Sequence, residues 1–212
     1  MLPDLSPAGL VLAYSHGIFP MGDEEGQLMW LSPDPRAILE LDQVKIPRSL
    51  RMVVRRGTFD ITFDQAFCDV VAGCADREGG TWITPQIVEA YSSLFRLGLA
   101  HSLEAWQGGE LAGGLYGVTL GAAFFGESMF HRVTDASKVA LVHLVQRLKL
   151  QQFTLLDLQF STDHLRRFGA VEIPRMVYLQ RVREAVRTAR SFEPGSEPLD
   201  LLQALRRAEG AS

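Results

Sequence analysis

Residues 101–107, 110–120 and 122–133 read as three strands in a row, joined by a Gly108-Gly109 turn and a second turn near Gly121. Glycine tolerates the positive φ that tight hairpin turns demand, and such turns force the strands they join to run antiparallel. A meander of this length needs an apolar cover on at least one face. Helical patterns on both sides of it supply one. Phe63, Phe67, Val70, Val71 and Cys74 recur at helical spacing behind Asp64, which suits a cap, and Thr84 and Pro85 open a helix with Ile87, Tyr91 and Leu94 on one side and Gly98 at its end. After the meander, Asp135 can cap a helix with a stripe of Val139, Val142, Val145 and Leu148, and residues 153–160 then read as a buried strand. Further helices are expected near 162–167, 175–190 and 199–207, with a polar linker over 190–197. Antiparallel strands beside helices with a later βα crossover make a mixed α/β architecture, an α+β mixed sheet.

The N-terminal stretch has another character. Ser6, Pro7 and Gly17 punctuate a first helix: a capping hydroxyl, a proline in the first turn and a terminating glycine. Residues 18–36 then carry Pro20, Gly22, Gly26, Pro33 and Pro35, which predicts a loop with short strands at most. This marks off a small N-terminal domain, 1–36, from a larger one, 37–212.

With 212 residues, 47% hydrophobic and 22% charged, the chain can bury a core without staples. Cys68 and Cys74 are too few for a disulfide framework and match no zinc spacing, so both read as reduced core thiols and no metal is expected. No leader pattern and no run of about 18 apolar residues is present, which makes a cytoplasmic protein the default. The net charge of −4 argues against a chain that coats nucleic acid through its overall field. Locally the balance reverses: Lys45, Arg48, Arg51, Arg55 and Arg56 lie in a stretch without an acid. That run is either a solvated basic face or a patch that contacts phosphates.

Two polar clusters interrupt strands that otherwise read as buried. Glu127 sits among Phe124, Phe125, Met129 and Phe130, and a buried carboxylate is costly unless it meets a cation or donors. Asp157 and Gln159 are two apart in a strand, so they share one face while Leu156 and Leu158 share the other. Pattern alone leaves site and scaffold open: Glu127 could pair with a neighbouring arginine, and Asp157 and Gln159 could lie at an exposed strand end. The five histidines show no metal spacing and no partnered nucleophile, and read as structural. Trp82 and Trp106 fit a core, although an exposed tryptophan would stack well on a base.

Nine ordered stretches resemble the leucyl/phenylalanyl-tRNA-protein transferase family: AYSHGIFPM (13–21), WLSPDPRA (30–37), GTWIT (80–84), AHSLEAW (100–106), GGLYGVTLG (113–121), FFGESMF (124–130), DASKVAL (135–141), LLDLQ (155–159) and FGAVEIPR (168–175). The resemblance implies a GNAT-like acyltransferase domain after a small N-terminal domain, and transfer of Leu or Phe from aminoacyl-tRNA to proteins beginning with Arg or Lys, as a degradation signal. It implies that Glu127 receives the basic side chain, that Asp157 and Gln159 lie beside the reacting amine, and that Trp82 lies near the terminal adenosine of the tRNA. The chain departs from the family in a shorter stretch before residues 4–7 and in Met21, where an aromatic is common.

The donor is an activated ester, so positioning can do most of the work and no cofactor is required. Asp157 with Gln159 would orient the amine and help remove its proton. Leu115, Phe124, Leu144 and Leu156 are candidates for the apolar pocket that selects leucine or phenylalanine. Lys45, Arg48, Arg51, Arg55 and Arg56 are candidates for tRNA contact. Two alternatives compete: an acyl-CoA-dependent N-acetyltransferase, against which stands the lack of a glycine-rich loop between strand and helix, and a noncatalytic tRNA-binding adaptor.

Overall fold

The structure, a computed structural model, describes residues 3–195; the helix expected at 199–207 and the end of the expected linker lie outside them. Helix α1 spans Pro7–Ser15, with Gly9 N–H donating to Ser6 Oγ at 3.1 Å and Gly17 beyond its end at φ +71°. Strands β1 (Phe19–Gly22) and β2 (Leu28–Leu31) pair antiparallel as a small separate sheet. The proline and glycine content of 18–36 thus leaves room for four-residue strands only. Strand β3 (Arg36–Leu39) already belongs to the main sheet, so the division expected between 36 and 37 falls inside it.

Helix α2 (Arg48–Arg55) was not expected; it buries Leu50 and rests on the later helix α5 (Ala136–Leu150). Strand β4 (Asp60–Phe63) and helix α3 (Phe67–Ala75) correct the expectation of one helix running from Phe63 behind an Asp64 cap. Asp64 has φ +59°, and its carboxylate accepts from Ser102 N–H at 2.8 Å and meets His101 Nδ1 at 2.8 Å. The α3 terminus is served instead by Glu104, which accepts from the Gln65 and Ala66 N–H groups. Cys74 is buried, its thiol pushed up to about 12 by that burial, but Cys68 faces out from α3 and is not a core thiol.

Helix α4 (Pro85–Arg96) starts at its Thr84 cap, and the meander follows as β5 (Ala100–Gln107), β6 (Glu110–Leu120) and β7 (Ala123–His131). Helix α5 (Ala136–Leu150) crosses over to β8 (Leu155–Gln159). Asp135 precedes α5 in a left-handed conformation and makes no side-chain cap; its carboxylate holds Lys138 Nζ at 2.6 Å. Helix α6 (Asp163–Arg167), strand β9 (Val171–Ile173) and helix α7 (Arg175–Arg187) complete the described chain.

The main sheet runs β4-β5-β6-β7-β8-β3-β9, antiparallel throughout except for the parallel pair β7–β8, which the α5 crossover makes possible. Its two faces carry two cores. On one, Tyr116, Val118, Phe125 and Leu155 pack with residues of α1, α3, α4 and α7. On the other, Leu115, Phe124 and Leu156 pack with α2 and the buried stripe of α5, and Phe192 closes that core. Each fully buried aliphatic or phenyl group contributes about 1.5–3 kcal/mol, so the two layers hold the sheet between them. Among the described residues, no helix is long and apolar enough to cross a membrane.

Candidate active site

Besides register shifts in the β5–β6 and β3–β8 pairs, the sheet has a fault at its centre, between β6 and β7. β6 and β7 pair as Tyr116↔Ser128 and then Gly117↔Gly126, which leaves Glu127 as an extra residue without a partner. Such a bulge re-aims the side chains around it. Gly117 is needed opposite: a Cβ there would lie 2.3 Å from the Phe124 ring and 2.4 Å from the Phe125 carbonyl oxygen. The fault also flips parity along β7. Phe124 packs in the α5 layer and Phe130 against the α1/α4 layer, although residues six apart in a regular strand share a face.

Just before the bulge the parallel pairing of β7 with β8 ends, at Phe125↔Asp157. A cavity of about 90 Å³ lies there, walled by Leu115, Met129, Leu141, Leu144, Leu156, Leu158 and Leu165, with Glu127 on its boundary. Three of the four expected pocket residues, Leu115, Leu144 and Leu156, line it. Phe124 does not; it is fully buried, its ring 5.9 Å from that of Phe192. Leu141 was missed although it stands one helical turn before Leu144, a spacing that shares a face.

Glu127 is 9% exposed, and no lysine or arginine among the described residues contacts its carboxylate. Its Oε1 accepts from the Tyr14 hydroxyl at 2.7 Å and Gln159 Nε2 at 2.9 Å, and Oε2 accepts from the Tyr91 hydroxyl at 2.7 Å. Burial pushes its pKa up to about 7; the three donors offset part of that, and nearby Asp157 adds to it. Burial also holds both phenols well above their usual range.

The arginine that sequence allowed for Glu127 is found at Asp157 instead. Asp157 is 0% and Arg36 1% exposed, and the guanidinium donates from Nε to Oδ1 at 2.9 Å and from Nη2 to Oδ2 at 2.6 Å. The same cation lies between the rings of Phe19 and Tyr178, 4.6 and 4.5 Å from their centroids. Oδ1 also accepts from Gln159 N–H at 2.9 Å and Oδ2 from the Tyr178 hydroxyl at 2.8 Å. Four donors, two from Arg36 and one each from Gln159 N–H and the Tyr178 hydroxyl, occupy the roughly four lone-pair sites of the Asp157 carboxylate.

Gln159 joins the two carboxylates. Its backbone, at φ +63°, is in the left-handed region that costs a non-glycine residue about 1–3 kcal/mol unless its surroundings enforce it. Here they do: the N–H is fixed by Asp157 and the side-chain amide by Glu127. Asp157 and Gln159 do meet in one hydrogen-bonded cluster, but the register of β8 against β3 slips between them, Ile38 pairing with Asp157 and Ala37 with Gln159, so regular alternation alone does not bring them together. Tyr14, Tyr91, Tyr178 and Arg36 were not read as site residues. Tyr14 and Arg36 stand within two of the quoted motifs, and that was their one signal.

The remaining candidates lie apart from this cluster. Trp82 is half-buried on a separate cavity of about 540 Å³ that also exposes Asp23 and Glu24, and its carbonyl accepts from Gly22 N–H at 3.0 Å. Lys45, Arg48, Arg55 and Arg56 are exposed on and around α2, and Arg51 is half-buried with Nε donating to the Ile46 carbonyl at 2.9 Å. Beside α2 runs a groove of about 370 Å³ bearing Lys138, His164 and Arg167. Helix α6 borders both this groove and, through Leu165, the apolar cavity. Among the described residues no group of three His, Cys, Asp or Glu could hold a metal ion.

Residues 38–183 match the family model for leucyl/phenylalanyl-tRNA protein transferase, and residues 3–34 match the model for that protein's N-terminal domain. A leucyl/phenylalanyl-tRNA–protein transferase of Salinibacter ruber is 53% identical over 195 residues, covering 92% of this chain and 86% of that one. Its counterpart in Gloeobacter violaceus is 51% identical over 187 residues, covering 88% and 96%. Among solved structures, L-PGS from Bacillus licheniformis aligns with 76% of this chain and 55% of its own, at 15% identity and a TM-score of 0.42.

Proposed function

The chain belongs to the leucyl/phenylalanyl-tRNA protein transferase family, and from that premise we propose how its side chains divide the transfer of an amino acid from tRNA to a protein N-terminus. Glu127 is the counter-ion for the acceptor's first side chain, which makes proteins beginning with Arg or Lys the substrates and their marking for degradation in the cytoplasm the outcome. One observation carries this reading: a carboxylate on the wall of an apolar cavity, supplied with neutral donors and contacted by no lysine or arginine among the described residues. A buried carboxylate so placed gains most from a cation brought by a ligand.

The cavity lined by Leu115, Leu141, Leu144 and Leu156 takes the leucyl or phenylalanyl side chain. Gln159, held by both carboxylates, presents its amide oxygen to the attacking α-amine. That amine has a reference pKa of about 7.7–8.0, so a useful fraction is neutral near pH 7 and attacks the ester carbonyl without a strong base; the new C–N bond replaces the ester C–O bond, and the amine's proton leaves with the tRNA's ribose hydroxyl. Asp157 and Arg36 keep Gln159 in place. The basic side chains of α2 and the groove along α6 would lead the tRNA acceptor end toward the cavity, with Trp82 offering a ring to a base at its other side. A meander followed by a crossover helix and one parallel strand is the layout we read as GNAT-like.

The test is direct. Purified protein is mixed with labelled leucyl-tRNA and a peptide starting with arginine, and the expected result is label in the peptide. A matched peptide starting with alanine should stay unlabelled. With Glu127→Ala, the arginine peptide should lose its advantage over the alanine peptide while leucyl-tRNA still binds; an unchanged preference would remove Glu127 from acceptor recognition.

A further inference from the structure

Around Glu127 the hydroxyl protons do not add up if the carboxyl group is ionised. The Tyr14 and Tyr91 oxygens each lie 2.7 Å from a different carboxyl oxygen and 2.6 Å from one another. A phenol carries one proton, so two tyrosines can donate along only two of these three contacts. The third would press lone pairs together at hydrogen-bond length. A third proton closes the ring: the carboxyl O–H donates to Tyr91, Tyr91 to Tyr14, and Tyr14 back to Oε1, while Gln159 Nε2 also donates to Oε1. Closed hydrogen-bond rings in a low-dielectric interior reinforce their members.

Among the described residues no other group nearby removes the need for that proton. Facing Glu127 are Tyr14 from α1, Tyr91 from α4, Tyr116 from β6, and Gln159 and Asp157 from β8. Tyr116 is buried with its hydroxyl unpartnered. Arg36 of β3, the cation behind Asp157, is committed to that carboxylate, as is Tyr178 of α7. Arg77 donates to Ser128 Oγ and to the Cys74 carbonyl. Neither tyrosine can supply the missing proton count by ionising, since that would remove a donor from an already short set.

We propose that Tyr14 and Tyr91 hold Glu127 in its protonated form while the site is empty, and that the acceptor's guanidinium or ammonium group enters in exchange for that proton. The carboxyl O–H bond breaks, the proton passes to solvent, and a cation–carboxylate pair replaces it, so the charge of the site is conserved. Both tyrosines then donate to the carboxylate and their mutual contact opens. A side chain without a fixed positive charge finds a carboxyl group that is already neutral and satisfied, and gains nothing by entering. Tyr14 and Tyr91 thereby determine specificity through Glu127. This rests on the reading of Glu127 as the acceptor's counter-ion; burial raises its carboxyl group to about 7, and the proton count around the two hydroxyls is the geometric ground for assigning the tyrosines this role.

Infrared difference spectra of the full chain test the exchange, using Nα-acetyl-argininamide, a probe with no titrating α-amine. Near pH 6, wild type minus Glu127→Gln should show the carbonyl band of a protonated carboxyl group, and the band should vanish when the probe is added. The citrulline analogue, uncharged but of the same shape, should leave it. Inhibition by the arginine probe should tighten roughly tenfold between about pH 6 and 8, as proton and cation cease to compete. If Glu127→Gln does not fold, wild-type spectra with and without probe near pH 6 and 8.5 read the same band. Absence of the band from the empty wild-type protein near pH 6 overturns the proposal, and the counter-ion reading survives if the arginine probe still inhibits better than the citrulline one. Equal inhibition by the two probes overturns the counter-ion reading and the proposal with it.

Discussion

The assignment of Asp157 as a positioning residue makes a quantitative prediction for Arg36→Met. The substitution removes two charge-assisted hydrogen bonds, at 2.9 and 2.6 Å, and leaves the buried Asp157 carboxylate with only the Tyr178 hydroxyl and the Gln159 N–H. Breaking a buried pair from one side costs about 3–5 kcal/mol, a large part of a domain's total stability of about 5–15 kcal/mol. With a urea dependence of about 2 kcal/mol per molar, the midpoint of unfolding should fall by about 2 M with little change in slope. Adding Asp157→Asn removes the orphaned charge: the new amide oxygen can accept from Gln159 N–H and its NH₂ can donate to Tyr178. The double variant should therefore be about 2 kcal/mol more stable than Arg36→Met alone, a coupling that two independent sites would not show. Urea unfolding gives the stabilities, and single-turnover peptide labelling, well below the unfolding midpoint, gives the chemistry. Turnover of the double variant should stay within about tenfold of wild type. General acid–base groups contribute about 10²–10⁴-fold. A loss of that size in a stably folded double variant would refute the reasoning and restore Asp157 as the proton acceptor, as would additive stability losses.

Glu127 leaves a signature in stability against pH. Its carboxyl group titrates at about 7 in the folded chain and near 4.5 when unfolded, so the folded state keeps a proton that the unfolded state releases; the contribution is full below about 4.5 and is lost as pH rises through 7, about 3 kcal/mol in all. Melting temperature across that window should fall in wild type and stay flatter in Glu127→Gln; parallel curves would count against the raised carboxyl group. Leu144→Phe should fill the cavity of about 90 Å³ and reduce use of phenylalanyl-tRNA about tenfold more than use of leucyl-tRNA, measured as kcat/KM with each donor. Changing Lys45, Arg48 and Arg56 together to alanine should weaken binding of charged tRNA and reduce the slope of log K against log salt by about 2, with peptide KM unchanged; an unaltered slope would move the tRNA elsewhere.

Much of the fold was legible because it follows from period and punctuation. The Gly108-Gly109 hairpin, the Thr84-Pro85 helix start and the α5 stripe all lie where local rules put them. Local rules failed where a side chain found a distant partner. Asp64 is a sound cap by composition, yet Ser102 N–H and His101 claim it from the neighbouring strand. Glu127 and Gln159 could be read from the cost of burying polar groups in apolar strands, but the groups that satisfy that cost could not. Arg36 reaches Asp157 across 121 positions, and Tyr14 and Tyr91 arrive from two helices whose stripes look like ordinary core. Phe124 shares the layer of the pocket residues but stands before the bulge, where its ring packs on Phe192, and nothing in the spacing of the side chains announces where the bulge falls.

That bulge ties chain length in β7 to chemistry. The two halves of the strand obey opposite frames, and the extra residue is the splice between them. Losing any single residue between the hairpin turn and the Glu127 position would restore a uniform ladder. Glu127 would then enter the ladder opposite Gly117, on the α5 side of the sheet, and the place from which the carboxyl group meets its tyrosines would be gone. Drift in sequence can be absorbed one side chain at a time, whereas drift in length here has no neutral step.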